Sequence, residues 1–319
     1  MKAIAVEALG GPEVLHLTES EVPQPAPGTV LIKVEAAGVN FADVMMRSGG
    51  YPGGPGPGFV PGLEVAGTIA AGPRQGERVM ALTWNGGYAE YALANEFAVF
   101  PIPEGMAFDE AAGFLVTNLT AYFALWMADL KPDERVLIHA AGGGVGTAAV
   151  QLAREMGAEV FGTASTEEKL KRVKALGAEH VINYAQQDFV AEIRRLTGDE
   201  GVDIVLEMVG GDVFERSLEL LRNLGRMVFY GRASGEGRVV DPAMLLTNNL
   251  ALHGLYLGTL AADPELMKMA MDDLGEYLRR KKLRVLIGKH FPLAEAEQAH
   301  RFLEGRHSFG KIILNVSQG

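Results

Sequence analysis

The stretch HAAGGGVG, residues 139–146, constrains this chain more than any other because of what flanks it. RVLIHA (135–140) precedes it, an apolar run of strand length, and a helical pattern follows through residues 151–156. The alternation then continues. EVFGT (159–163) reads as a strand, 166–176 as a helix stopped by Gly177, and HVIN (180–183) as a strand. A helix around 189–196, the strand DIVLEM (203–208), a helix over 212–222 and the strand RMVFYG (226–231) complete the series. Such alternation implies an α/β fold, a doubly wound parallel sheet with helices on both faces. Read as x-x-G-x-x-G, the loop sets Ala141, Gly143 and Gly146 at the three positions of a dinucleotide-binding turn, with Gly142, Gly144 and Val145 between them. Gly143 lets the backbone approach a pyrophosphate, Gly146 lets the helix pack on the strand, and the helix N-terminus attracts the anion. Alanine at the first position makes the motif a variant. The strand–loop–helix setting is what separates it from a plain tight turn.

Dinucleotide folds that prefer NAD end their second strand with an acidic residue on the ribose hydroxyls. Here that strand runs into Thr163, Ala164, Ser165 and Thr166, and Lys169 follows one helical turn later. Hydroxyls and an ammonium in place of a carboxylate suit a 2′-phosphate, so the expected cofactor is NADP(H). Glu167 and Glu168 fit the first turn of a helix, where carboxylates favour the dipole. Residues 305–311 match G-x-x-x-x-G-K, but Ile312 replaces the required Ser or Thr and a strand follows, which excludes a nucleotide-triphosphate loop.

The rest of the 319 residues reads differently. The first hundred are β-rich, with alternation at Val30, Ile32 and Val34 and again over 79–82 and 88–93. Residues 49–62 are too dense in Gly and Pro for a regular element. After residue 250 come LALHGLYL (250–257) as a strand, a helix over 264–281, a strand near Val285, a short helix at 295–304 and the strand KIILNV. The uncharged run 111–128 contains Thr117, Asn118 and Thr120 and lacks basic anchors, which fits a helix buried in protein rather than in lipid. Without a signal-peptide pattern the expected location is cytoplasmic, with no membrane partner. Absent cysteine excludes disulfides, thiol nucleophiles and cysteine-ligated metals. A net charge of −11 with no long basic run argues against nucleic acid as a partner.

Together these motifs resemble the medium-chain dehydrogenase/reductase superfamily, in its zinc-independent quinone oxidoreductase (zeta-crystallin-like) branch. AAGVNFADVMMRSGGYP (36–52) is similar to the G-V-N-x-x-D segment of that branch, PGLEVAG (61–67) to its P-G-x-E-x-x-G turn, and AAGGGVG to its A-A-x-G-G-V-G loop. Zinc-dependent members place Cys near Asn40 and His-Glu near Leu63 and Glu64. Asn and Leu stand there instead, so no metal is expected. The resemblance implies a GroES-like β-rich catalytic domain, residues 1–112 and 256–319, around a Rossmann NADP(H)-binding domain, residues 113–255. It also implies a homodimer or homotetramer reducing quinones with NADPH. Carried over by position, Ser165, Lys169, Tyr184 and Arg306 would hold the 2′-phosphate. Asn40 and Thr120 would neighbour the nicotinamide, and Phe229, Gly231, Leu255, Tyr256 and Leu257 would line the cofactor.

Hydride transfer to a quinone leaves negative charge on oxygen, so the reaction needs hydrogen-bond donors and a proton. Asn40 is a candidate donor and Tyr51 a candidate donor or proton source. Asp43 is either catalytic or a structural carboxylate accepting backbone hydrogen bonds. His139 and His253, both in strands, read as satisfied core histidines. Two rivals stand beside the quinone reductase: an NADPH-dependent enoyl or alkenal reductase, and a crystallin-like nucleotide-binding protein without catalysis.

Overall fold

A computed structural model describes residues 1–317. In chain order the first elements are β1 (Lys2–Val6), β2 (Leu15–Glu19), β3 (Thr29–Val39), α1 (Phe41–Arg47), β4 (Glu64–Ile69), β5 (Arg78–Leu82), β6 (Tyr91–Asn95), β7 (Val99–Pro101), α2 (Phe108–Ala112) and α3 (Leu115–Met127). The strand–helix series follows as β8 (Arg135–Ile138), α4 (Gly144–Glu155), β9 (Glu159–Ala164), α5 (Glu167–Leu176), β10 (His180–Asn183), α6 (Phe189–Thr197), β11 (Val202–Glu207), α7 (Gly211–Leu218) and β12 (Leu221–Phe229). Next come α8 (Ala243–Leu246), β13 (Ala251–Gly254), α9 (Leu257–Leu260) and α10 (Pro264–Arg279). The last elements are β14 (Ile287–Pro292), α11 (Ala296–Glu304) and β15 (Lys311–Asn315).

The chain divides into two compact units. The first holds Met1–Thr117, Ala261–Met267 and the chain from Val285 on. Its main sheet runs β14-β15-β3-β4-β5-β7, with β6 also paired to β3. All pairings are antiparallel except β14 with β15, which α11 connects. The inward-facing alternation of β3 (Ile32, Val34) meets Val65, Val79, Ile312 and Leu314 in one apolar core.

The second unit holds Asn118–Leu260 and Lys268–Arg284. Its sheet is six-stranded, β10-β9-β8-β11-β12-β13, and every neighbour pair is parallel. Each residue of β11 is buried, as a central strand covered on both faces requires. Polar side chains begin its helices: Thr166 accepts the Lys169 N–H ahead of α5, and Asp188 accepts those of Val190 and Ala191 ahead of α6.

Several expectations shift. The helix expected over 212–222 ends at Leu218, because Leu221 already pairs with Val202 and β12 starts there. The strand expected over 250–257 stops at Gly254, opposite Phe229, where its partner strand ends. His253 is half-buried instead of a core residue, since β13 is the sheet edge. The strand placed near Val285 begins at Ile287. Residues 268–284 group with the second unit, not with 1–112 as the division at 256 had it. Asp273 there accepts a hydrogen bond from Tyr122 at 2.6 Å, and the Arg284 carbonyl one from Gln151 at 3.2 Å. The uncharged run supplies the end of α2 and all of α3, which is buried up to Leu125, and among the described residues no helix is long and apolar enough to cross a membrane.

Candidate active site

In the second unit the residues expected at the cofactor gather at one edge of the sheet. The glycine turn follows β8, Ser165 follows β9, Tyr184 follows β10, Phe229 ends β12 ahead of Gly231, and Leu255, Tyr256 and Leu257 follow β13. Because the strands are parallel, these are all carboxyl ends. The order reverses between β8 and β11, the topological switch point where such sheets bind ligands.

The turn itself is tightly built. Ala140 takes a left-handed φ of 49°, and Gly143 N–H closes back on its carbonyl at 2.8 Å. A Cβ on Gly146 would lie 2.3 Å from that same oxygen and 2.6 Å from Ala141 Cα, so the helix can approach only with glycine there. A Cβ on Gly143 would meet only the Ala140 oxygen, at 3.2 Å, leaving open space in front of the helix start. No side chain caps α4, and the first N–H groups of a helix have no intrahelical acceptor. The cradle fits a phosphate.

His139 pins the turn from below. Ser217 Oγ donates to the Val213 carbonyl at 2.6 Å, so His139 Nε2 donates to Ser217 at 2.8 Å. Its Nδ1 then accepts from Thr163 Oγ1 at 3.2 Å. Burial pushes the imidazole down to about 4, so it is neutral and fully partnered.

At the rim, Lys169 is half-buried, and desolvation holds its ammonium below the ordinary lysine range. Glu167 turns away to accept from Asn183 Nδ2 at 2.7 Å. Tyr184 and Tyr256 are exposed, Ser165 is half-buried, and Leu255, Leu257 and Thr120 are buried. One carboxylate escaped the sequence reading. Glu207, fully buried at the end of β11, accepts from Val209 N–H at 2.7 Å and Gly210 N–H at 3.2 Å, and burial pushes it up to about 7. The sole signal was an acid closing an otherwise apolar strand.

In the first unit Asn40 precedes α1, and its backbone N–H donates to Asp43 Oδ2 at 2.8 Å. Asp43 also accepts from Tyr88 Oη at 3.1 Å, and its complete burial pushes it up to about 7. Tyr88 Oη lies 3.2 Å from His300 Nε2, and the buried Arg47 reaches Glu304 at 2.7 Å. Asn40 Nδ2 donates to Glu64 Oε1 at 3.0 Å and, more weakly, to the Gly38 carbonyl at 3.4 Å. Both amide hydrogens are therefore committed within the protein, which removes Asn40 as the expected donor to a quinone oxygen. Tyr51 is half-exposed in the glycine-rich segment, and Arg306 is exposed in the turn closing α11 with φ 57°.

The positions that carry zinc ligands in the wider superfamily do not suit a metal here. They present an amide, the aliphatic Leu63 and a Glu64 already paired with the Lys311 ammonium at 2.8 Å. Among the described residues no group of His, Cys, Asp or Glu could hold a metal ion.

Residues 26–104 match the family described as alcohol dehydrogenase GroES-like domain, and residues 144–274 the one described as zinc-binding dehydrogenase. The chain is 36% identical to the quinone oxidoreductase of Homo sapiens, over 98% of this chain and 97% of that one. It is 36% identical to the 2-haloacrylate reductase of Burkholderia sp, over 98% of each. Among solved structures, the quinone oxidoreductase of Thermus thermophilus, described also in complex with NADPH, superposes with a TM-score of 0.87 at 42% identity, covering 99% of this chain and all of that one.

Proposed function

This chain belongs to the quinone oxidoreductase branch of the medium-chain dehydrogenase/reductase superfamily, and on that footing we propose that it is an NADPH-dependent quinone oxidoreductase. The observation that carries the reading is the glycine turn at the switch point of the sheet, with Ser165 and Lys169 after the neighbouring strand and no carboxylate ending it.

NADPH, when bound, supplies the hydride. The N–H groups of Gly144, Val145 and Gly146 and the dipole of α4 hold the pyrophosphate. Ser165, Lys169 and Tyr184 hold the 2′-phosphate. A desolvated ammonium beside a phosphate dianion makes a stronger hydrogen bond than an exposed one. Phe229, Gly231, Leu255, Tyr256 and Leu257 supply a largely apolar rim that keeps water from the transferring hydride. Asn40, Thr120 and Arg306 are assigned to the coenzyme on the resemblance alone. Hydride addition leaves charge on a quinone oxygen that must be protonated, and Tyr51 is the proposed source. Asp43 accepts the Asn40 N–H and acts by fixing the start of α1.

NADPH oxidation should be followed with a benzoquinone, an alkenal, a haloacrylate and an enoyl thioester as acceptors. Turnover with the quinone supports the reading. Turnover confined to the polarised C=C substrates would favour a second one, alkene reduction, to which the likeness to 2-haloacrylate reductase points. No turnover with any acceptor would leave a nucleotide-binding protein.

The proposed assembly is a homodimer, or a tetramer built from it, in the cytoplasm. In support, β13 is an open sheet edge, and Val239 and Leu246 of the second unit are 96% and 76% exposed, with Leu224 and Met244 also exposed. Light scattering that gives a monomer mass would refute it.

A further inference from the structure

Lys311, at the start of β15, is 3% exposed, and its ammonium donates to three oxygens: Val39 O at 3.1 Å, Asn40 Oδ1 at 2.7 Å and Glu64 Oε1 at 2.8 Å. Glu64 is equally buried, and its second oxygen accepts the Val116 N–H at 2.9 Å, in the first turn of α3. Asn40 closes the ring, with Oδ1 on the ammonium and Nδ2 on the carboxylate. An ammonium only donates and an ionised carboxylate only accepts, so the amide can sit one way round and no other. Turning it over would aim N–H at the ammonium and C=O at the carboxylate, among side chains buried too deeply for bulk solvent to compensate.

A buried ion pair serving stability alone is replaceable by apolar residues of similar volume. This pair does something such residues could not: it fixes the direction of a third group. We propose that Lys311, acting with Glu64, is a positioning residue for coenzyme binding. The pair holds Asn40 so that the hydrogen-bonding capacity left to its side chain is a lone pair on Oδ1. Such an acceptor suits an N–H donor, as in the nicotinamide carboxamide, and is wrong for a quinone oxygen. The inference rests on the reading of Asn40 as a neighbour of the nicotinamide.

The test compares NADPH with 2′-phospho-ADP-ribose, which keeps the phosphates and lacks the nicotinamide, by fluorescence and calorimetric titration of the full-length protein. Lys311→Met removes the ammonium, and Lys311→Met/Glu64→Gln removes both charges, leaving no uncompensated carboxylate in the core and one amide oxygen that can still accept from either Asn40 Nδ2 or the Val116 N–H, so it stands in where the single variant does not fold. Either variant should weaken NADPH by about fivefold or more, the worth of one hydrogen bond, and change 2′-phospho-ADP-ribose by less than about twofold. In an Asn40→Ala background the same pair of changes should alter NADPH affinity by less than about twofold, because the group being positioned is gone. Equal weakening of both ligands, NADPH affinity fully retained in the charge-free variant, or losses that add to those of Asn40→Ala would overturn the proposal. A wild-type protein that binds 2′-phospho-ADP-ribose no better than ADP-ribose would instead refute the coenzyme assignment itself.

Discussion

The two units meet charge in opposite ways. In the second, the proposed anion cradle is backbone: three consecutive N–H groups at the head of α4, a left-handed Ala140 and a neutral His139 beneath. In the first, the polar centre is made of ionisable side chains, with Lys311, Glu64, Asp43 and Arg47 all buried. Backbone dipoles remain whatever the pH and are encoded by a few adjacent residues. Side-chain charges depend on partners far along the chain, Glu64 and Lys311 being 247 residues apart. The first unit should therefore be the one whose stability is sensitive to the loss of a single charge, and the second the one sensitive to a single added carbon.

The largest effect should come from breaking the buried pair. Glu64→Leu leaves the Lys311 ammonium uncompensated and should destabilise the protein by about 3–5 kcal/mol in denaturant titration. Lys311→Met in the same chain should return most of that loss. A Glu64→Leu protein as stable as wild type would erase the contrast between the units.

Next is the pH response. Asp43 is held near 7 by burial, so the folded protein keeps a proton that the unfolded chain releases around pH 4. Its contribution is thus present below about pH 4 and declines as pH climbs to about 7, by up to roughly 4 kcal/mol at about 1.4 kcal/mol per unit. Glu207, also pushed up to about 7, adds the same sign in the second unit. Asp43→Asn should remove that share of the slope between those limits and leave the part due to Glu207 with the opposing part from His139 and His300, which burial lowers to about 4 and about 3. An unchanged slope would mean that Asp43 is ionised in the folded protein throughout.

What could be read in advance follows the same divide. The parallel sheet was legible because each βα unit carries its own signals: an apolar strand, a capping Thr166 or Asp188, a terminating glycine. The cradle residues followed, being adjacent in sequence. Residues 219–225 misled, since their apolar spacing continues a helix until pairing with β11 draws them into a strand. Glu207 gave almost no sign, because its partners are backbone groups two and three residues ahead. The Lys311 cluster gave none. Asn40 and Asp43 stood out as polar residues in a motif, but only the fold shows that Asn40 is turned by a lysine from the other end of the chain.

The third test is steric. Gly146→Ala places a carbon 2.3 Å from the Ala140 oxygen, and α4 must shift to admit it. Overpacking of this kind should lower stability by about 1–3 kcal/mol and weaken NADPH and 2′-phospho-ADP-ribose alike, since both use the displaced N–H groups. The same substitution at Gly143, where a Cβ would press on the Ala140 oxygen at 3.2 Å instead of 2.3 Å, should be milder for stability and equally harmful for the ligands. Loss of stability at Gly143 matching that at Gly146 would show the turn to be packing alone.

The smallest effect separates the two phosphates of the proposed ligand. Lys169 is half-buried on α5 and desolvated, with the Glu168 charge acting to favour the ammonium. Lys169→Ala should weaken NADPH by about tenfold, the scale of one charge-assisted hydrogen bond, and leave NADH nearly unchanged, narrowing the preference between them. The backbone cradle serves both coenzymes equally, so a fall in NADH affinity as large as that for NADPH would assign Lys169 to the pyrophosphate. That outcome would make the second unit, like the first, dependent on a side-chain charge for its central task.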